Sequence, residues 1–162
     1  MTAKDLIRIE PAGIASVDLL ATLHGQVFIS EEQVWTSGSF AELLTMSGAR
    51  AWLAITSQDG QDAPAGFALV RFVAEEAEII TIGVVPQYQR QGVAQALLSG
   101  VFELSRKAGA DILLEVGANN EAAIKLYLKN GFVEAGRRKN YYKRQDGNWI
   151  DALILRRPAS TT

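Results

Sequence analysis

The chain has 162 residues, of which 48% are hydrophobic and 21% charged, a composition typical of one globular domain with a buried core. Its net charge of −2 argues against a general nucleic-acid binder, and the lack of cysteine excludes disulfides, thiolate zinc sites and a cysteine nucleophile. No apolar run approaches the ~20 residues that span a bilayer, and the N-terminus lacks the apolar core of a signal peptide. We therefore expect a cytoplasmic protein with no membrane partner and no direct nucleic-acid partner.

The first half of the chain predicts one strand, two helices and three further strands joined by short turns. In chain order these elements are residues 6–10, 14–28, 40–46, 49–56, 65–73 and 79–85. Asp59-Gly60 is a strong hairpin signal between the second and third of these strands. The last three strands therefore predict an antiparallel meander.

Three ionisable residues in this half are functional candidates: His24, Glu31 and Glu32. His24, the only histidine, lies in the first predicted helix, and no motif surrounds it, so a packing or surface role is favoured over a catalytic one. Glu31 and Glu32 lie in a polar, irregular stretch. The solvated first turn of a helix is the favoured interpretation for them, and contact with a basic substrate is the alternative.

The second half predicts two helices that alternate with strands, followed by a hairpin. In chain order these are a helix from residue 93, a strand over 112–116, a helix from 119 or 120 to 130, and strands from 132 onward and over 148–155. The apolar run over 112–116 indicates a strand buried on both faces. An asparagine caps the second helix, and Gly131 suits the left-handed position just beyond its end.

The order of elements, β-α-α-β-β-β-α-β-α-β-β, indicates an α+β fold. One β-α-β crossover follows the antiparallel meander, so we expect a mixed, mostly antiparallel sheet of about seven strands with helices on both faces. Residues 1–158 form the predicted single domain, and residues 159–162 a loose tail.

The stretch from the strand over 79–85 into the helix after it predicts an anion site. Pro86 ends the strand because it has no N–H to donate, and the helix begins after a polar turn. The first N–H groups of a helix have no partner within it and carry partial positive charge. Gly92 permits close approach of a phosphate, and Arg90 can add a full charge. We interpret the turn as a pyrophosphate cradle; an ordinary solvated turn is the alternative.

Two residues further along are candidates for acid–base chemistry. Glu115 is a carboxylate in an otherwise apolar strand, where burial raises a carboxyl pKa and makes it a candidate general base; a solvent-facing glutamate is the alternative. Tyr127 is predicted to share a helical face with Ile124 and Leu128, as a core aromatic would. Its hydroxyl can still donate a proton to a leaving thiolate.

A short signature in the anion loop resembles a known superfamily. Residues 89–94, Gln-Arg-Gln-Gly-Val-Ala, match the Q/R-x-x-G-x-G/A signature of the GCN5-related N-acetyltransferases (GNAT), in which this loop holds the pyrophosphate of coenzyme A. A longer match begins near residue 79 and includes Leu-Glu-Val at 114–116, Ala-Asn-Asn at 118–120 and Arg-Lys-Asn-Tyr-Tyr at 138–142. It resembles the RimI family, the bacterial ribosomal-protein-alanine N-acetyltransferases. Gly117 departs from that pattern, which often has arginine there.

The resemblance implies a GNAT fold, acetyl-CoA as co-substrate, no metal, and direct acetyl transfer in a ternary complex. Glu115 would be the base and Tyr127 the acid. The backbone at Ile82, Gly83 and Val84 would pair with the pantetheine arm of the cofactor. The remaining implied cofactor contacts are Arg90, Gln91, Gly92, Val93, Ala94 and Gln95 at the phosphates, and Asn120.

The resemblance further implies that the acceptor is the N-terminal α-amino group of a protein, as in the N-terminal alanine of a ribosomal protein. A small-molecule amine or a lysine is the alternative acceptor, and a non-catalytic coenzyme A-binding partner protein is a further alternative. A basic run lies in the last hairpin: Arg137, Arg138, Lys139, Lys143 and Arg144. A solvated hairpin face is favoured for it over docking of ribosomal material or of the adenosine 3′-phosphate.

Overall fold

The computed structural model describes residues 6–29 and 35–159, and its elements follow the predicted order. The strands in these residues are β1 (Leu6–Ala12), β2 (Ala49–Gln58), β3 (Gln61–Val73), β4 (Glu76–Val84), β5 (Asp111–Gly117), β6 (Val133–Lys143) and β7 (Trp149–Arg157). The α-helices are α1 (Val17–Val27), α2 (Ser37–Leu44), α3 (Val93–Ala108) and α4 (Glu121–Lys129). Short 3₁₀ turns at Ile14–Ser16 and Pro86–Tyr88 precede α1 and α3.

The seven strands form one sheet in the order β1-β2-β3-β4-β5-β7-β6. Among the described strands, β4 and β5 are the parallel pair, joined through α3, and all other neighbours are antiparallel. The predicted mixed, mostly antiparallel α+β sheet is therefore confirmed. The final hairpin adds β7 beside β5 and leaves β6 at the edge, an order that the sequence analysis did not specify.

Helices cover both faces of the sheet, as predicted. On one face, α3 and α4 bury residues such as Leu98 against Leu114 of β5. On the other face, Leu20 of α1 and Phe40 of α2 pack with Phe67 of β3. Burial of these apolar side chains supplies about 1.5–3 kcal/mol each, which fixes the sheet between its two helical layers.

β5 differs from the prediction of a strand that is buried on both faces. Its residues alternate between buried and half-buried positions along the strand. Ile112, Leu114 and Val116 belong to the core beneath α3 and α4, so the alternation places Leu113 and Glu115 on the α1/α2 face. Glu115 is therefore partly exposed, which is closer to the solvent-facing alternative than to a fully buried carboxylate.

The C-terminal end of α4 follows the predicted glycine signal. Gly131 has a φ of 91° and donates its N–H to Leu128 O over 3.2 Å, while Phe132 donates to Tyr127 O over 3.1 Å. These two bonds form a Schellman motif, in which glycine adopts the left-handed conformation at little cost. The predicted face is wrong at Leu128, which is exposed, whereas Ile124 and Tyr127 pack into the core.

Several expectations fall at the limits of what the structure describes. Glu31 and Glu32 lie outside the described residues. The division into residues 1–158 and a tail stays a prediction, although Ala159 donates its N–H to Asp111 Oδ1 over 2.8 Å. Over residues 6–29 and 35–159, the helices fall short of the length and hydropathy needed to cross a membrane.

Candidate active site

The parallel strands β4 and β5 separate towards their carboxyl ends. Their pairing begins at Glu76 and Asp111 and ends at Ile79 and Leu114, although both strands continue beyond that point. From residue 81 to residue 84, β4 still pairs with β3 but has no strand partner on its other side among the described residues. A row of backbone N–H and C=O groups therefore borders an opening between the two strands.

A β-bulge in β4 accounts for this separation. Val70 of β3 pairs with Ile79, and Leu69 pairs with Thr81, so Ile80 is the extra residue. A bulge bends its strand and increases its twist, which turns the end of β4 away from β5. No feature of the sequence analysis indicated a bulge at this position.

The predicted pantetheine-binding residues Ile82, Gly83 and Val84 lie in the separated part of β4. Gly83 is closely covered on its side-chain face, because a Cβ there would lie 2.8 Å from Val27 Cγ1 and 3.0 Å from the Phe67 ring. Its backbone can therefore border the opening only as glycine without displacing α1 or β3. The structure offers the backbone edge that an added extended chain requires.

The loop between β4 and α3 carries a run of unpaired backbone donors. The backbone N–H groups of Arg90, Gln91, Gly92, Val93, Ala94 and Gln95 have no acceptor among the described residues. The first helical bond of α3 is from Ala96 N–H to Gly92 O, over 3.0 Å. No side chain caps this helix end, so its N–H groups and positive dipole end are available to an anion.

Two residues of this loop adopt left-handed backbone conformations. Gly92 has a φ of 88°, and a Cβ built on it would meet nothing within 4 Å. Arg90 has a φ of 62°, which costs a non-glycine residue about 1–2 kcal/mol. The side chain of Gln89 braces the loop through a bond to Val84 O over 3.2 Å, and Gln91 bonds Gln87 O over 3.2 Å. Strain of this kind is concentrated at ligand clamps.

The side chain of Gln95 has a structural partner that the sequence analysis missed. Its amide pairs reciprocally with that of Asn130, over 2.8 Å and 2.9 Å, and Asn130 also donates to Leu126 O over 2.8 Å. This amide pair fastens the first turn of α3 to the end of α4. Gln95 can thus contribute its backbone N–H to the anion site, while its side chain positions the two helices.

Glu115 lies just beyond the point where β5 leaves β4. Its side chain is 23% exposed, and its Oε1 forms an ion pair with Nε of Arg138, over 2.9 Å. Arg138 belongs to β6, two strands away, and reaches back across β7. A half-buried carboxylate beside an opening can accept a proton from a bound group.

Tyr127 of α4 lies on the opposite face of the sheet from Glu115. It is 7% exposed, and its ring packs edge-on against Phe132 at 5.6 Å. Burial, with a smaller contribution from Tyr142, raises the pKa of the Tyr127 hydroxyl to about 12. The hydroxyl is therefore protonated at neutral pH and can donate a hydrogen bond or a proton.

Asn120 is the N-cap of α4, which is one of the two starting positions, 119 and 120, predicted for this helix. Its Oδ1 accepts the N–H of Ala123 over 3.3 Å. Its amide Nδ2 remains as the group that can donate to a ligand. Because α4 follows β5 directly, Asn120 lies at the same end of the sheet as the anion loop.

The basic run lies on the β6–β7 hairpin, and one of its members, Arg138, is the ion-pair partner of Glu115. Arg137 pairs with Asp151 over 3.0 Å, and Lys143 lies 5.9 Å from the exposed ring of Trp149. Gln145 at the hairpin tip donates to Ile29 O over 3.4 Å, so the hairpin meets the end of α1. The run is largely exposed, in accord with the favoured solvated hairpin face.

His24 packs within an aromatic cluster, and its predicted packing role is confirmed: it is 2% exposed and stacks on Trp35 at 4.8 Å.

In the described part of the chain, no group of three or more histidine, aspartate or glutamate side chains is arranged to hold a metal ion. The candidate site thus consists of a backbone edge, an anion loop, a carboxylate and a tyrosine.

Comparison with known proteins identifies the family of the chain. A model of the acetyltransferase (GNAT) family matches residues 20–132. The [ribosomal protein bS18]-alanine N-acetyltransferase of Escherichia coli (strain K12) is 46% identical over 97 residues, which are 59% of this chain and 65% of that protein. The protein of the same name from Haemophilus ducreyi is 36% identical over 123 residues, 75% of this chain and 81% of its own length.

The fold agrees over a longer span than the sequence. The crystal structure of the ribosomal-protein-S18-alanine N-acetyltransferase from Escherichia coli aligns with 97% of this chain and 96% of its own, at a TM-score of 0.83 and 32% identity. The separated strands, the anion loop and the family match over more than half of the sequence lead to one conclusion: the chain belongs to the acetyltransferase (GNAT) family.

Proposed function

We propose that the protein transfers an acetyl group from acetyl-CoA to the N-terminal α-amino group of a protein, with the N-terminal alanine of a ribosomal protein as the acceptor. The names of the relatives from Escherichia coli and Haemophilus ducreyi describe this reaction on ribosomal protein bS18. Such an acceptor would place the reaction in the cytoplasm, where ribosomes are assembled.

The observation that carries this proposal is the opening between β4 and β5 that ends at the uncapped start of α3. At residues 82–84, the edge of β4 that faces away from β3 has no strand partner among the described residues and suits the amide-containing pantetheine arm, which can pair like an added strand. The N–H groups of residues 90–95 suit the pyrophosphate, and Asn120 Nδ2 can donate beside them. The backbone edge matches the amides of the pantetheine arm, and the loop N–H groups match the pyrophosphate. These two parts follow one another in the same order along acetyl-CoA.

The proposed chemistry uses the two faces of the sheet. Glu115 removes a proton from the acceptor ammonium, directly or through a water molecule, and the neutral nitrogen attacks the thioester carbonyl carbon. The C–N bond forms, the C–S bond breaks, and Tyr127 donates its proton to the departing thiolate. The ammonium loses two protons in all. Glu115 takes one, and the second replaces the proton that Tyr127 gave to the thiolate.

The pKa of the acceptor supports an α-amino group. Such a group has a pKa near 8, so a sizeable fraction is already neutral at physiological pH. A lysine amine, with a pKa near 10.4, is neutral only at the ~0.1% level. A half-buried carboxylate such as Glu115 can deprotonate the first more readily, which favours the N-terminal acceptor over the lysine alternative.

Mass spectrometry of a substrate panel with acetyl-CoA tests this function. The panel contains a peptide with a free N-terminal alanine, the same peptide with a blocked N-terminus and an internal lysine, and a set of small amines. We expect acetylation of the first at least tenfold faster than of the others. Faster acetylation of a small amine or of the lysine peptide would replace the proposed acceptor, and no acetylation of any substrate would favour a non-catalytic coenzyme A-binding protein.

A further inference from the structure

Arg138 forms an ion pair with the carboxylate of Glu115. It pairs with Ala152 of β7, which in turn pairs with Gly117 of β5, two residues beyond Glu115. The guanidinium therefore reaches diagonally back across β7 to make its 2.9 Å ion pair. Its side chain is 55% exposed, so the ion pair is accessible to an acceptor from solvent.

Arg138 has a second partner within reach. Its guanidinium carbon lies 5.3 Å from the centre of the Tyr141 ring, a cation–π distance. The chain leaves the β7 register between Arg138 and Tyr142, and Asn140 has a φ of 50° with its N–H bonded to Asp151 Oδ1 over 2.9 Å. This anchored bulge holds Tyr141 beside Arg138. The guanidinium can therefore keep a stabilising cation–π contact with the Tyr141 ring when it leaves Glu115.

The acceptor of the proposed reaction arrives as a cation. Before it loses a proton, an amine carries the same unit charge as a guanidinium and seeks the same carboxylate. We propose that Arg138 is a positioning residue for acetyl transfer: it neutralises Glu115 until the acceptor ammonium displaces it. This inference rests on the proposed function, because it concerns how Glu115 receives its substrate.

The exchange has a small energetic cost because the ion pair is partly exposed, on its Arg138 side. Exposed ion pairs contribute little to stability, since solvent screens them and two long side chains must be held in place. One cation replaces another, so Glu115 is never left half-buried without a partner. A neutral acceptor such as an alcohol offers no charge in exchange, and the pair therefore favours amines over hydroxyl groups.

Steady-state kinetics of three variants test the role of Arg138, with the N-terminal alanine peptide varied at saturating acetyl-CoA. In Arg138→Gln the ammonium no longer competes with a guanidinium, and we expect KM for the peptide to fall about two- to fivefold. Arg138→Lys keeps a displaceable cation and should retain the KM of the unmodified protein. Arg137→Gln is the matched control, since Arg137 is the neighbouring arginine but pairs with Asp151 instead; its KM should not change.

The outcomes separate this inference from the function on which it rests. An unmodified protein that acetylates no α-amine would overturn the proposed function. An active unmodified protein whose KM is unchanged or raised in Arg138→Gln would overturn the positioning role alone, as would an equal fall of KM in Arg137→Gln. Circular dichroism and acetyl-CoA affinity, expected to be unchanged, establish that each variant is folded, and Arg138→Met carries the same prediction should the glutamine variant not fold.

Discussion

Replacing His24 with leucine should make the stability of the protein less sensitive to acid. The imidazole is enclosed by the rings of Phe28 at 4.6 Å, Trp35 at 4.8 Å, and Phe40 and Phe67 at somewhat longer distances. Its Nδ1 has no hydrogen-bond partner among the described residues. Burial without a partner disfavours the charged form and lowers the pKa of His24 from 6.5 to about 4.

The size of the effect follows from proton linkage. Between pH 6.5 and pH 4 the unfolded chain binds a proton on His24 that the folded chain does not, so stability is complete above pH 6.5 and is lost as the pH falls. From pH 7 to pH 5 this difference amounts to about 2 kcal/mol, and the full shift corresponds to about 3 kcal/mol. His24 is the only histidine, so no other imidazole contributes in this range.

Urea unfolding followed by far-ultraviolet circular dichroism at pH 7 and pH 5 measures this contribution. We expect the unmodified protein to lose about 2 kcal/mol more of its unfolding free energy than His24→Leu over this interval. Phe28→Leu is the control, because it alters the same aromatic cluster and keeps the imidazole, and so should retain the acid sensitivity. Equal losses in the unmodified protein and His24→Leu would refute the reasoning.

Two further substitutions probe the active-site region. Tyr127→Phe removes the proton donor and should lower turnover about 10²-fold or more with unchanged acetyl-CoA affinity, measured by steady-state kinetics and calorimetry; a fully active variant would remove the acid role. Gly83→Ala forces a Cβ to within 2.8 Å of Val27 Cγ1 and 3.0 Å of the Phe67 ring, and should lower the unfolding free energy by about 1–3 kcal/mol in urea titrations. Gly100→Ala, whose Cβ would meet its nearest neighbour at 3.9 Å, is the control and should be neutral or stabilising; equal losses in both variants would contradict the packing argument.

The sequence predicted the parts of the fold that depend on local conformation. Pro86, Gly92 and Gly131 each mark the end or start of an element because their backbone properties restrict the local chain, and the structure has its elements change at all three. The spacing of the apolar residues predicted the strands and helices, and the order of these elements predicted the α+β class.

The remaining features depend on contacts between distant parts of the chain. The bulge at Ile80 becomes apparent only from the pairing of β4 with β3, and it is this bulge that turns β4 away from β5. The ion pair of Glu115 with Arg138 joins residues 23 positions apart, across an intervening strand that comes later in the chain. Both residues are candidates on their chemistry alone, but no local pattern in the sequence pairs them.

Calorimetric titration with acetyl-CoA tests the central claim most directly, that the uncapped start of α3 binds the pyrophosphate. Gly92→Ala and Gly109→Ala impose comparable left-handed strain at the two ends of this helix, where φ is 88° and 63° and neither added Cβ meets a neighbour within 4 Å. We predict binding by the unmodified protein and by Gly109→Ala with similar affinity, and at least fivefold weaker binding by Gly92→Ala. No binding by the unmodified protein, or equal weakening in both variants, would contradict the account.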